Sequence, residues 1–284
     1  MPTKWIKTQV VSENDYRHDA TTYGPVRYPL LAEGDSWFDS NGQRGDNLLK
    51  ALALPDSSLI LNFAYAGDEI RRMTKLGRKS YLGLLFKEPT RFWSGFLVSG
   101  GGNDLITDAG KIIRKPLGGS DPVNPESYLD LVALKATLDS VVEGYQRLAA
   151  LRAGTAHDRL PMLAHTYDYA MPRNAPAKVF GFSKGPWLYP RLVAAKVPEG
   201  MHAMVADTLF SRLAETIKHL ADPQHPTFIT DFHVVDTRGI LLPANPSAPG
   251  KSNDWLNEIH PTADGYAKIA ATRFNQALTA ILSL

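Results

Sequence analysis

Two side chains near opposite ends of the sequence have the types needed for nucleophilic catalysis. Ser36 lies in Gly34-Asp35-Ser36-Trp37, and His260 lies in Glu258-Ile259-His260-Pro261. A serine hydroxyl is a weak nucleophile until a neighbouring base takes its proton, and imidazole is suited to that task near neutrality. Such a base needs a partner on Nδ1 to hold its tautomer. Three partners are open. Asp254 is favoured, reaching His260 if 254–260 forms a turn; Asn257 offers an amide oxygen without a charge; a backbone carbonyl is the third. Two further polar stretches lie between serine and histidine: Asn62-Phe63-Ala64-Tyr65-Ala66-Gly67-Asp68 and Gly101-Gly102-Asn103-Asp104.

The elements that must position these groups are legible as short apolar runs at 28–32, 58–63, 95–99, 161–165 and 227–235. Each is bounded by Gly, Pro or polar residues, as strands buried on both faces are. Helical spacing lies between them. Leu131, Leu134, Leu138, Val141, Tyr145 and Leu148 mark one face within 126–152, with Gly154 as a stop. Leu209, Leu213, Ile217 and Leu220 mark a second helix, and Tyr266 to Ile281 a last one starting near Pro261. This alternation predicts a three-layer α/β/α sandwich with a mainly parallel, flavodoxin-like sheet of about five strands. In such a sheet ligands bind beyond the carboxyl ends of the strands, where all the polar stretches named above fall. The expected organisation is an N-terminal arm over 1–27 and a single domain over 28–284. Insertions near 106–125 and 170–200 interrupt it, the second rich in proline and aromatic residues (Phe180, Phe182, Trp187, Tyr189).

Taken together, the four polar segments resemble the SGNH (GDSL-type) hydrolase family of esterases and lipases. Gly34-Asp35-Ser36 matches the family's nucleophile block. Asn62-x-x-x-x-Gly67 matches its second block, with Ala64 where a glycine is frequent. Gly101-x-Asn103-Asp104 matches its third, and His260-Pro261 its last. The family's aspartate three residues before the histidine is Asn257 here. The resemblance implies a serine esterase that acts through an acyl-enzyme, with an oxyanion hole formed by the backbone N–H groups of Ser36 and Gly67 and the side-chain amide of Asn103. A glycine at 67 would let the backbone approach the substrate closely. No cofactor and no metal are implied. The substrate class is a small-molecule, lipid or carbohydrate ester, with Trp37, His165, Asp168 and Trp255 as candidate substrate contacts. Asp35 and Asp104 read as turn residues that orient Ser36 and Asn103.

Composition narrows the alternatives. Apolar residues make up 44% of the chain and charged ones 21%, enough for a large core. The absence of cysteine excludes disulfide scaffolds, thiol catalysis and Cys-based metal sites. The 31 basic and 29 acidic side chains form no basic stripe, so no nucleic-acid partner is expected. No signal peptide or membrane-length apolar run is seen, and a cytoplasmic location is expected. Three other functions remain, one of them acyl transfer, which differs from hydrolysis only in whether an alcohol or water enters the site. A metal-dependent phosphoesterase would need an acid where Phe38 sits and a histidine where Asp104 sits. An inactive binding module of SGNH type is kept open by the missing acid at 257.

Overall fold

Runs of Leu, Ile, Val and Phe with no polar face become the central strands, because only a position covered on both sides removes all those side chains from water. The computed structural model describes residues 4–18, 25–39, 45–74, 80–119, 121–179 and 182–282. The chain begins with β1 (Ile6–Lys7), β2 (Gln9–Ser12) and α1 (Glu13–His18). There follow β3 (Tyr28–Gly34), α2 (Leu48–Ala51), β4 (Ala53–Leu54), β5 (Ser58–Asn62), α3 (Ser80–Lys87), β6 (Gly95–Ser99) and α4 (Gly102–Ile112). Next come α5 (Leu131–Ala150), β7 (Met162–His165), β8 (Ala177–Val179), β9 (Phe182–Lys184) and α6 (Tyr189–Ala194). The chain continues through α7 (His202–His219), β10 (Phe232–Val235), α8 (Ala263–Ile269), a π-helical turn (Ala270–Phe274) and α9 (Asn275–Leu282).

The main sheet has the order β10-β7-β6-β3-β5-β2, and every neighbouring pair is parallel. All its strands but the edge strand β2 are the five expected from sequence, in the 2-1-3-4-5 order of flavodoxin-like sheets. Helices α4, α5 and α7 pack on one another; α8, the π-helical turn and α9 form a continuous second group, with α2 against α8. The architecture is a three-layer α/β/α sandwich. Among the described residues no helix is long and apolar enough to cross a membrane.

The structure departs from expectation in three places. The sheet has a sixth strand, β2, from within the 1–27 segment read as an arm; residues 1–3 and 19–24 of that segment lie outside the described residues. β2 pairs with β5 and buries Val11. Four residues with a single buried side chain are too short for a periodic signal. The expected insertion at 106–125 begins inside α4, whose Leu105, Ala109 and Ile112 are buried at helical spacing. Helix α5 starts at Leu131, which is exposed, because Asp130 caps it by accepting the N–H groups of Val132 and Ala133.

Candidate active site

The order of strands reverses between β3 and β6, so the crevice beyond their carboxyl ends is the topological switch point. Ser36 follows β3, and Asn103 lies in the first turn of α4, just after β6. The two strands come unusually close there: a Cβ on Gly34 would stand 2.8 Å from both Cβ and O of Ser99. Beyond Gly34 the backbone turns sharply. The N–H groups of Phe38 and Asp39 donate to the carbonyl of Asp35, and Trp37 N–H donates to Asp35 Oδ1 at 3.0 Å. The turn leaves Ser36 half-buried at its apex.

Asp35 itself is buried. It also accepts Ser99 Oγ–H at 2.8 Å and Tyr167 O–H at 2.5 Å. Burial pushes its carboxyl up to about 6, against these hydrogen bonds. Asp35 thus orients the nucleophile turn, as expected, with its acceptor capacity directed into the protein.

His260 Nε2 lies 2.8 Å from Ser36 Oγ, across 224 residues of sequence. Its Nδ1 lies 2.9 Å from Asn257 Oδ1. The same Oδ1 accepts the backbone N–H groups of Ile259 (3.1 Å) and His260 (3.0 Å). An amide NH2 cannot accept from those two donors, so the oxygen must face the imidazole. Nδ1 therefore carries the proton, and Nε2 is left to accept from the serine hydroxyl. Asn257 sets the tautomer without supplying charge.

Asp254, favoured from sequence, is not the partner of His260. Its carboxylate takes both oxygens to Lys268 Nζ at 2.7 Å and accepts Leu242 N–H at 2.7 Å. Burial works against its ionisation, but the Lys268 ammonium and the Leu242 N–H hold the carboxyl below its usual range. The stretch 252–261 is closed by bridges of Trp255 to Ser252 and to Pro261, with Leu256 N–H donating to His260 O. That path turns Asp254 towards α8 and leaves Asn257 beneath the imidazole.

The second and third polar stretches meet beside Ser36. Asn103 Nδ2 donates to the Asp68 carbonyl at 3.0 Å, which ties it to the loop of Gly67. Its second amide hydrogen faces no protein acceptor that the structure records among the described residues. The N–H groups of Ser36 and Gly67 likewise donate to no protein group among the described residues. Gly67 has φ +92°, and only Lys184 Nζ, the end of a flexible side chain, would meet a Cβ there. Backbone conformation is thus the reason for glycine at 67. Asp104 accepts Ile70 N–H at 2.9 Å and is pushed up to about 6 by burial, against the Ile70 and Arg71 N–H groups. It anchors the far end of the Gly67 loop to α4.

Ser36 and Asn103 line one small pocket with Trp37, Ile106, Tyr167, Phe210 and Ile259. Of the candidate substrate contacts, Trp37 belongs to that wall and also braces the site, its Nε1–H donating to the Ile259 carbonyl at 3.2 Å. Asp168 reaches the pocket, but its carboxylate is occupied by the N–H groups of Tyr169, Gly239, Ile240 and Leu241. His165 is a correction: it is fully buried, stacks on Trp37 and lies 2.9 Å from Ser99 Oγ. Burial pushes its pKa down to about 3. Trp255 is 1% exposed and belongs to the core. Neither side chain is placed to meet a substrate.

From sequence Trp187 is an aromatic residue of the insertion, core or pocket wall, and Glu258 only an acid close to His260; the structure ties the two together. Trp187 stands edge-on to His260, with ring centroids 5.4 Å apart. The fully buried Glu258 carboxylate accepts the N–H groups of Trp187, Leu188 (3.0 Å) and Tyr189 (2.7 Å). Arg173 donates to the Asn257 carbonyl at 2.8 Å. The 170–200 insertion is thereby locked to the histidine loop; its Phe180 lies outside the described residues. Such long-range pairing leaves no mark in local spacing.

Burial first, and then the Lys184 ammonium, push the His260 imidazole down to about 4. A base that stays neutral to such a pH predicts an acid limb of kcat/KM near pH 4 rather than near the ordinary 6.5. Replacing Asn257 by aspartate puts a negative charge on Nδ1–H and is expected to move that limb upward. Asn257→Ala is expected to lower kcat by an order of magnitude or more, and Asp254→Ala to lower it far less. pH–rate profiles of the three variants check this. Stability runs separately: His165 and His260 are both depressed on folding and withdraw stability as pH drops below about 6.5. The buried Asp35 and Asp104, raised to about 6, add stability as pH drops below that value and oppose the histidines there.

No family model and no curated protein matches the sequence. Solved structures similar to the chain are lipases and esterases. An extracellular lipase from Streptomyces rimosus is 13% identical, covering 90% of this chain and 98% of its own, with a TM-score of 0.48. A carbohydrate acetylesterase from Sinorhizobium meliloti is 12% identical over 90% of this chain and 97% of its own, with a TM-score of 0.40. A catalytic mutant of an acetylxylan esterase from Geobacillus stearothermophilus is 13% identical over 89% of this chain and 94% of its own, also at 0.40.

Proposed function

We propose that the chain is a serine hydrolase of SGNH type that cleaves a carboxylic ester through an acyl-enzyme. The observation that supports this most directly is the 2.8 Å contact between Ser36 Oγ and His260 Nε2, with Nδ1–H held by Asn257. In this reading His260 takes the Ser36 proton as Oγ attacks the ester carbonyl. The developing oxyanion receives hydrogen bonds from Ser36 N–H, Gly67 N–H and Asn103 Nδ2–H, groups already oriented before the substrate arrives. His260 then returns the proton to the departing alkoxide, and the alcohol leaves an acyl group on Ser36. Water, deprotonated by His260, attacks the acyl carbonyl; Ser36 Oγ leaves, regains the proton, and the carboxylic acid is released. The pocket walled by Trp37, Ile106, Phe210 and Ile259 suits an apolar acyl group.

The test is covalent trapping. An organophosphonate should modify one serine per chain, Ser36, and abolish hydrolysis of 4-nitrophenyl acetate, while EDTA leaves that hydrolysis intact. Activity lost to EDTA and indifferent to the phosphonate would instead establish the metal-dependent phosphoesterase alternative. Absence of both trapping and turnover would establish the inactive module.

A further inference from the structure

Lys184 ends β9, opposite Ala177 of β8, and is exposed. Its Nζ stands 3.5 Å from where a Cβ on Gly67 would be, so the ammonium lies against the loop that offers the second oxyanion donor. The same charge acts on the His260 imidazole. Among the described residues Lys184 Nζ makes no ion pair and no hydrogen bond, unlike Lys268 and Lys111, which are paired with Asp254 and Asp108. The imidazole it faces is backed by the neutral amide of Asn257. Among the described residues the catalytic corner therefore carries one unpaired cation, the Asp35 and Glu258 carboxylates being engaged in hydrogen bonds inside the protein.

Lys184 does not line the apolar pocket that holds Ser36 and Asn103. It stands instead against the Gly67 loop and three residues before Trp187, which is edge-on to His260, the group that protonates the departing alcohol. A negative charge on the alcohol side of the ester would meet this ammonium; one on the acyl side would have to enter an apolar wall. We propose that Lys184 selects esters whose alcohol bears an anionic group, the acyl esters of hydroxycarboxylates, by pairing with that group beside Gly67. This rests on the serine-hydrolase reading. The reaction it adds to is ordinary hydrolysis: water is consumed, and a carboxylic acid and a hydroxycarboxylate are released.

The experiment compares 3-acetoxybenzoate with its methyl ester, a pair that differs in charge at the alcohol side and shares the acetyl group. Their ratio of kcat/KM is measured for the full chain and for Lys184→Gln, Lys184→Glu and Lys184→Arg, with folding checked by circular dichroism. The expected result is a wild-type preference for the anion that falls roughly tenfold in Lys184→Gln, falls further in Lys184→Glu, persists in Lys184→Arg and shrinks with added salt. A ratio that is the same in wild type and Lys184→Gln overturns the proposal while leaving the serine mechanism intact. Turnover of both esters that survives in Ser36→Ala, or is absent in wild type, overturns the serine-hydrolase reading and this proposal with it.

Discussion

Ser36→Ala and His260→Ala are each expected to lower kcat for 4-nitrophenyl acetate by roughly 10⁴ to 10⁶, and the double variant by no more than the worse single one. The reason is the proton path. Without His260 the serine proton has no acceptor at 2.8 Å; without Oγ the base has nothing to activate. Either loss removes the same step, so the effects do not add. What survives in each variant is the binding and oxyanion stabilisation supplied by Gly67 and Asn103. Steady-state kinetics of the three variants check this. Additive losses, or a single variant retaining a tenth of wild-type activity, would mean that the serine and histidine do not act as one unit. Ser36→Ala should leave thermal stability nearly unchanged, because the residue is half-buried at a turn whose hydrogen bonds run through Asp35 and not through its own hydroxyl.

The second large effect is expected at a residue that touches no substrate. Glu258→Ala strips the acceptor from three backbone N–H groups in a buried position, at Trp187, Leu188 and Tyr189. An unsatisfied buried donor costs about 1–3 kcal/mol, and the three share one loop that partly relaxes, so a loss of about 3–5 kcal/mol is expected. In a chain of this size that lowers Tm by on the order of 10 °C. Activity should fall as well, since the same loop presents Trp187 edge-on to His260 and adjoins the strand that ends in Lys184. Glu258→Gln keeps one acceptor oxygen but turns an NH2 towards the remaining N–H donors, so it should fall between wild type and Ala. Calorimetry and kcat on the same preparations decide it. If Glu258→Ala melts with wild type and keeps its kcat, the carboxylate is not what holds the 185–189 loop.

The corrections share a cause. His165 ends strand β7 on the functional edge, yet its ring turns inward to Ser99 and Trp37, because which side of the sheet a strand-end residue faces depends on the layer packed there. Asp254 and Asn257 stand three residues apart, and local propensity does not say which reaches the imidazole. The choice was made by Lys268, one turn into the next helix, which takes both Asp254 oxygens and frees the 252–261 turn to place Asn257 under Nδ1. β2 was invisible as a strand because it presents just one fully buried side chain to the sheet.

The sequence by itself determined five strands of the main sheet, their mainly parallel arrangement and the four polar stretches at their carboxyl ends. Those follow from short-range facts: which runs are apolar on both faces, and which glycines, serines and amides end them. The tertiary structure alone decided that an amide and not a carboxylate backs the imidazole, that Glu258 ties the aromatic insertion to the histidine loop, and that a lysine from a distant hairpin stands over Gly67. Each of these is a contact between segments tens of residues apart, fixed by where packing brings side chains and backbone donors into reach.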